Sequence, residues 1–244
     1  MIKIKELYRS FILISLFVFF GLGAVALRYC VFSFQKDKMK NYETLQKTWK
    51  FVVWLLNFFR LIDLRVENIE KLRGIKNSVI VSTHPSFIDI IILMSIIPYS
   101  TCFVAERLAQ NPFLKGIVNL LFILEGQDTD KWIRDASEML DNGLNVIIFP
   151  MGIRHRKSET PRIRRGASHL AQKTGKNIVM LGLENSFDFL QIHQPFYDAG
   201  SEPVIYNLSY LGEIKTEEYI EKYSDEVTFK TQVTKEITRK LYKK

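Results

Sequence analysis

A histidine and an aspartate five positions apart, His84 and Asp89, are the residues of this 244-residue chain best suited to acid–base chemistry. An imidazole accepts a proton near neutral pH, and a carboxylate beside it fixes its tautomer and stabilises its protonated form. Five residues of regular helix turn through about 500°, so the two side chains meet only if His84 precedes the helix. Pro85 and Ser86 favour a helix start at this point. We therefore predict a base and its partner; the alternative is a chance spacing in which Asp89 is an ordinary first-turn acid.

A second loop combines a glycine with basic side chains. Gly152 permits a close approach to the backbone, and Arg154 can bind a phosphate or carboxylate through two parallel hydrogen bonds. Six basic residues and one acid, Glu159, lie between positions 154 and 165. This loop suits an anionic headgroup, an acidic carrier protein or a nucleotide-bearing thioester; the alternative is a solvated basic loop. A nucleic-acid partner is not expected, because no aromatic-interleaved stripe accompanies the charge.

The elements that would position these loops alternate between short β-rich runs and helical stretches after about residue 64. The predicted strands cover 79–82, 100–104, 120–124, 146–149, 178–183 and 204–208. The predicted helices cover 87–97, 130–142, 166–173 and 227–242. This alternation predicts an α/β domain with a mainly parallel sheet. Ligands of such sheets bind beyond the carboxyl ends of the strands, where both loops fall.

The amino-terminal end is both apolar and basic. Residues 1–60 carry ten basic and three acidic groups, and Ser10–Leu27 has no charge. Eighteen helical residues measure about 27 Å, close to the roughly 30 Å of a bilayer core, so we predict a membrane anchor. The alternative is a signal peptide cleaved near Ala24–Ala26, which is disfavoured because the apolar run resumes up to Phe34.

A second amino-terminal segment shows apolar and aromatic residues at helical spacing from Tyr42 to Phe59, with Lys40, Lys47 and Lys50 among them. A basic amphipathic helix with aromatics is typical of a segment lying in an anionic membrane surface. The alternative is a helix packed on the domain, and the two interpretations are compatible. We predict anchoring helices over 1–62 and the main domain over 63–244. The basic cluster after the apolar run predicts that this domain faces the cytoplasm.

Three stretches, in this order, carry a family resemblance: VIVSTHPSFID at 79–89, GLNVIIFPMGIR at 143–154 and RRGASHLAQKTG at 164–175. Over about residues 50–185 the chain resembles the bacterial 1-acyl-glycerol-3-phosphate acyltransferases and related lysophospholipid acyltransferases. The resemblance implies a glycerolipid acyltransferase-like fold, with a mixed, mainly parallel sheet flanked by helices and an amino-terminal helical membrane anchor.

The resemblance also implies an activity in phospholipid biosynthesis. A fatty acyl group would move from acyl-CoA or acyl-carrier protein to a lipid hydroxyl of the lysophosphatidic acid type, at the inner (cytoplasmic) membrane. His84 would be the general base, Asp89 its partner, and Gly152 with Arg154 would hold the acceptor phosphate. Neither a metal nor a cofactor is expected beside the acyl donor, because a thioester is already activated.

The chain also departs from the family pattern. Met151 and Ile153 stand where relatives commonly have glutamate and threonine, and the stretch 122–126 lacks an arginine that often contacts phosphate in relatives. These departures leave two alternatives open. The acceptor would be a lyso-aminolipid or a hydroxyaryl lipid, or the chain would be an inactive lipid-binding relative.

Overall fold

The computed structural model of the chain describes residues 2–84, 86–126, 128–152, 163–191 and 194–242. The strands within these residues are β1 (Ile62–Val66), β2 (Val79–Ser82), β3 (Ser100–Ala105), β4 (Ile123–Glu125), β5 (Asn145–Ile148), β6 (Ile178–Asn185) and β7 (Val204–Ile214). They form one sheet in the order β1-β7-β6-β2-β5-β3-β4. Neighbouring strands run parallel except β6 and β7, which are antiparallel.

Helices cover both faces of this sheet. They are α1 (Ile2–Ala26), α2 (Lys38–Phe58), α3 (Ile69–Arg73), α4 (Asp89–Ile96), α5 (Glu106–Gln110), α6 (Lys115–Leu121), α7 (Thr129–Asp141), α8 (Gly166–Thr174), α9 (Thr216–Lys222) and α10 (Glu226–Tyr242). A π-helical segment, Leu27–Phe32, continues α1. Buried side chains of α1, α2, α4 and α6 fill one face, and those of α7, α8 and α10 fill the other. The structure thus confirms the predicted α/β fold with a mixed, mainly parallel sheet flanked by helices.

Two details of the predicted elements are corrected. The stretch 120–124 was expected as one strand, but α6 extends to Leu121 and β4 begins at Ile123. The reason is that Ile117, Val118 and Leu121 are buried together at helical spacing. A short apolar run fits the period of a helix as well as that of a strand. Strand β1 was not predicted, although its alternation of apolar with charged residues is typical of a strand with one solvated face. It is five residues long and lies at the edge of the sheet.

Helix α1 is fixed to the domain by an arginine. The Arg9 side chain is only 4% exposed, and its guanidinium donates to the backbone carbonyls of Arg60, Leu61, Ala199, Gly200 and Glu202. Such charge-assisted bonds are stronger than neutral ones. The stretch Ile4–Phe32 is long and apolar enough to cross a membrane, and 22% of its most apolar window is buried against the protein.

Helix α2 has two different faces. Tyr42, Leu45, Val52, Val53 and Leu56 are buried, so this face packs on the domain, as the alternative interpretation of the segment expected. The aromatic ladder, Phe51, Trp54 and Phe58, is exposed. Its rings stack with centroid distances of 5.8 and 5.2 Å.

Candidate active site

The turn between β2 and α4 brings His84 and Asp89 together. His84 follows the end of β2, and Asp89 is the first residue of α4, so its side chain points back toward the turn. The His84 Nδ1 and Asp89 Oδ2 atoms are 2.9 Å apart. The backbone N–H of Ser86 donates to the same oxygen at 2.6 Å. The chain folds as the spacing required, with the histidine outside the helix; Pro85 lies outside the described residues.

The same turn is tied to the neighbouring strand. The Thr83 hydroxyl donates to the carbonyl of Leu183 at 2.6 Å and accepts from its N–H at 2.8 Å. Asp89 is completely buried, whereas 18% of the His84 side chain remains exposed. The carboxylate is therefore shielded from water while one edge of the imidazole reaches the surface, which suits a base whose partner must stay in place.

The second loop meets the first at the imidazole ring. Phe149, directly after β5, stacks on His84 with ring centroids 3.9 Å apart and planes tilted by 14°. Nδ1 of His84 is hydrogen-bonded to Asp89, and within the described parts of the chain Nε2 has no hydrogen-bond partner. With the Nδ1 proton donated to the carboxylate, Nε2 carries the lone pair that can accept a proton. Sequence reasoning placed Phe149 at the end of a strand and the start of the second loop but gave it no role at the site.

Gly152 shows the conformation that its residue type suggested. Its φ angle is +72°, and the Arg164 guanidinium lies so close that a Cβ here would be 2.7 Å from Nη1. The backbone N–H of Arg164 donates to the Pro150 carbonyl at 2.8 Å. In its side chain, Nη1 is 3.6 Å from Glu125 Oε1. Arg154, the predicted phosphate-binding residue, lies outside the described residues. Within the part of the chain that the structure describes, the guanidinium of Arg164 places a positive charge beside Gly152.

The cluster at the ends of β2, β4 and β5 therefore holds a base, a buried carboxylate and a guanidinium. Within the described ranges, no group of three or more His, Cys, Asp or Glu side chains is arranged to hold a metal ion. The chemistry that these side chains themselves can perform is proton removal beside an anion-binding group.

Comparisons with known proteins show what the chain is similar to. The sequence model of the acyltransferase family matches residues 63–184. The chain is 26% identical over 160 residues to the chloroplastic 1-acyl-sn-glycerol-3-phosphate acyltransferase LPAT1 of Arabidopsis thaliana. That match covers 63% of this chain and 44% of LPAT1, so the chain spans less than half the length of this relative.

The fold is also that of a solved structure. The crystal structure of the 1-acyl-sn-glycerophosphate acyltransferase PlsC from Thermotoga maritima superposes with a TM-score of 0.71. The superposition covers 98% of this chain and 95% of PlsC at 18% sequence identity. The family match takes in the loops of both His84 and Gly152 and spans half of the sequence, so the chain belongs to the acyltransferase family.

Proposed function

We propose that the protein is a membrane-associated O-acyltransferase that transfers a fatty acyl group from acyl-CoA or acyl-carrier protein to the free hydroxyl of lysophosphatidic acid. The observation that carries this proposal is the 2.9 Å contact of His84 Nδ1 with buried Asp89, which leaves Nε2 for the acceptor. The relatives support the acceptor class, since LPAT1 and PlsC are both described as acyltransferases of this lipid type.

In the proposed reaction, Nε2 of His84 removes the proton of the acceptor hydroxyl as the oxygen attacks the thioester carbonyl. Asp89 stabilises the imidazolium that forms. The carbon–sulfur bond then breaks, and the imidazolium gives its proton to the departing thiolate. The ester and the thiol are released, and the neutral imidazole is regenerated. General-base catalysis of this kind contributes about 10²–10⁴-fold in rate. The thioester is already activated, so the proposal includes neither a metal nor a cofactor.

The acceptor phosphate would bind at the loop that contains Gly152. The family resemblance assigns Arg154 to this role, and the guanidinium of Arg164 lies against Gly152. A guanidinium offers parallel N–H donors that match the geometry of a phosphate. Because Phe149 of this loop stacks on His84, a phosphate held here would lie near the base.

We propose that the amino-terminal helices lie on the membrane rather than cross it. Arg9 holds α1 to five carbonyls of the domain, and losing those bonds in a bilayer core would leave a charge and several carbonyls unsatisfied. The outward face of α1, including Phe11 and Phe19, is apolar, and the aromatic ladder of α2 is exposed. An apolar face of this kind buries well in the headgroup region, beside which Lys40, Lys47 and Lys50 favour anionic lipids. The inner membrane is a prediction from the family resemblance, and the cytoplasmic side is a prediction from charge.

A second candidate acceptor is a lyso-aminolipid. Glu125 lies 3.6 Å from Arg164, in the stretch where relatives often carry an arginine. A carboxylate at this position would pair with an ammonium group of the acceptor headgroup. This candidate retains the same base and the same reaction.

The test is an acyl-transfer assay on the purified full-length chain in mixed micelles. Labelled acyl-CoA and acyl-carrier protein are each offered with lysophosphatidic acid, a lyso-aminolipid or a hydroxyaryl lipid, and the products are identified by mass spectrometry. We expect phosphatidic acid as the main product. Exclusive acylation of the aminolipid would establish the second candidate, and absence of transfer to every acceptor would favour an inactive lipid-binding relative.

A further inference from the structure

The loop that connects β6 to β7, residues 186–203, carries large aromatic side chains at the surface. Within its described part, Phe196 is 60% exposed and Tyr197 is 50% exposed. The two rings contact each other, with centroids 5.6 Å apart. Adjacent apolar rings in water form a patch, and such a patch is typical of a surface that another molecule or a membrane covers. The acyl-transfer mechanism gives these rings no role.

This loop lies at the same edge of the sheet as the base. Strand β6 runs parallel to β2, so the end of β6, where the loop begins, is next to the end of β2, where His84 follows. The two bonds between the Thr83 hydroxyl and the backbone of Leu183 join these strand ends directly. Helix α9 follows the other end of β7 and therefore lies at the opposite edge of the sheet.

The end of the loop is bonded to helix α1. The Arg9 guanidinium donates to three backbone carbonyls of the loop, those of Ala199, Gly200 and Glu202. The Lys5 ammonium forms an ion pair with the Glu202 carboxylate at 2.5 Å. The loop therefore keeps a fixed position beside the helix for which we propose a membrane contact.

Three rings connect the loop to the turn that contains His84. The ring centroid of Phe17, on α1, is 6.2 Å from that of Phe196 in an edge-to-face arrangement. On its other side, Phe17 is 6.3 Å from Phe87, which lies in the turn between β2 and α4. Both distances are typical of interacting aromatic pairs. Phe196, Phe17 and Phe87 thus form an aromatic bridge from the loop, across α1, to the turn of the base.

The outward face of α1 continues this apolar surface. Phe11, Ile14 and Val18 are exposed and follow one another at helical spacing. Ile14 precedes Phe17 by three positions, so the two side chains are neighbours on the surface of the helix. The stretch Ile4–Phe32 is long and apolar enough to cross a membrane. The surface that reaches Phe196 therefore begins on a helix that suits a lipid phase.

We propose that the β6–β7 loop is a further membrane contact, in which Phe196 and Tyr197 enter the same leaflet as the outward face of α1 and the aromatic bridge holds the turn of His84 at that surface. The bilayer fits this surface because aromatic side chains are favoured at the membrane interface. The proposal rests on the proposed function for the membrane position of α1 and for a lipid acceptor. It adds that the acceptor reaches His84 from the leaflet, along the aromatic bridge.

The charges of the loop indicate that this contact is apolar. Asp188 and Asp198 are exposed acids, and the Glu202 carboxylate is paired with Lys5. Anionic lipids repel acidic side chains, so the loop gains its membrane affinity from its rings. We therefore expect the loop contact to persist when salt screens the basic residues of α2.

The direct test places an environment-sensitive fluorophore on one cysteine at a time in the full-length chain. Cys30→Ser removes the exposed cysteine, and Cys102 is buried. The labelled positions are Tyr197→Cys on the loop, Phe11→Cys on α1 and Ile220→Cys on α9. Vesicles of equimolar phosphatidylcholine and phosphatidylglycerol should shift the emission to shorter wavelength at positions 197 and 11, and leave it unchanged at position 220. A spin-labelled lipid should quench the first two fluorophores and not the third.

The three positions separate failure of this proposal from failure of the proposed function. A response at position 11 without one at 197 would overturn the loop contact and leave α1 on the membrane. A response at neither position would contradict the membrane association and this proposal with it. A response at 197 that appears without vesicles, as the protein concentration rises, would assign the loop to a second copy of the chain and overturn the proposal. No acyl donor enters this experiment, so its outcome is independent of whether acyl transfer is detected.

A pair of substitutions tests the ring itself. Phe196→Glu should weaken sedimentation with the same vesicles by about tenfold, because a partly buried phenyl ring is lost from the interface. Phe196→Trp should retain binding, since tryptophan is also favoured there. The control Ile220→Glu, at an exposed position on the opposite edge of the sheet, should leave binding unchanged. Equal binding by Phe196→Glu and Ile220→Glu would overturn the proposal.

Discussion

Substitution of Gly152 by alanine tests whether the Arg164 guanidinium must lie against this loop. The new Cβ would be 2.7 Å from Arg164 Nη1, so the guanidinium has to retreat by about 0.7 Å to reach the 3.4 Å of ordinary contact. The positive φ of +72° adds about 1–2 kcal/mol of backbone strain. If Arg164 binds the acceptor phosphate, loss of one charge-assisted bond of about 1.5–3 kcal/mol lowers kcat/KM by about 10- to 100-fold.

The matched control is Gly175→Ala. Gly175 has a similar φ of +67°, but no atom lies within 4 Å of its added Cβ, so only the backbone strain is shared. We expect both variants to lose similar unfolding free energy in denaturant titrations, and only Gly152→Ala to show a raised KM for lysophosphatidic acid. Arg164→Met should reproduce this loss, and the double variant should add little to it. Wild-type acceptor kinetics in a folded Arg164→Met variant would refute the role assigned to Arg164.

Three further predictions concern the framework of the site. Arg9→Met should lower the free energy of unfolding by about 3 kcal/mol in a denaturant titration, because it leaves buried carbonyls without their donor. The control Arg65→Met removes an exposed ion pair and should cost at most about 1 kcal/mol. Equal losses in the two variants would contradict the docking of α1. Trp54→Glu changes a side chain that is 54% exposed and should weaken binding to anionic vesicles by about tenfold or more in a sedimentation assay. The control Val227→Glu, at an exposed position of α10, should leave this binding unchanged. Equal vesicle binding by the two variants would argue against the aromatic ladder as a membrane contact. Thr83→Val should cost about 1–3 kcal/mol on thermal unfolding, because both of its bonds to β6 are lost, and an unchanged stability would show that the turn is held otherwise.

The elements next to the site could be predicted from local pattern. The apolar run before His84 and the Pro–Ser boundary after it indicate a strand, a turn and a helix, and the structure places β2 and α4 there. The His84–Asp89 contact follows from that boundary. The short run 120–124 was predicted as a strand throughout, and its first part proved helical, because a few apolar residues fit a helix as well as a strand.

Contacts that depend on strand order could not be predicted. Phe149 stacks on His84 because β5 lies beside β2 in the sheet. This arrangement leaves no local signal in the sequence. Likewise, the carbonyl partners of Arg9 lie about fifty and one hundred and ninety positions away along the chain, so no local pattern indicates them.

The most direct test of the central claim is the turnover number of His84→Gln for acyl transfer to lysophosphatidic acid, measured on protein whose thermal unfolding matches the wild type. His169→Gln is the matched control, since this partly buried histidine lies near Glu226 on the other face of the sheet. We predict that kcat falls by about 10²–10⁴-fold in His84→Gln and is retained in His169→Gln. A folded His84→Gln variant that turns over at the wild-type rate would contradict the account of His84 as the general base.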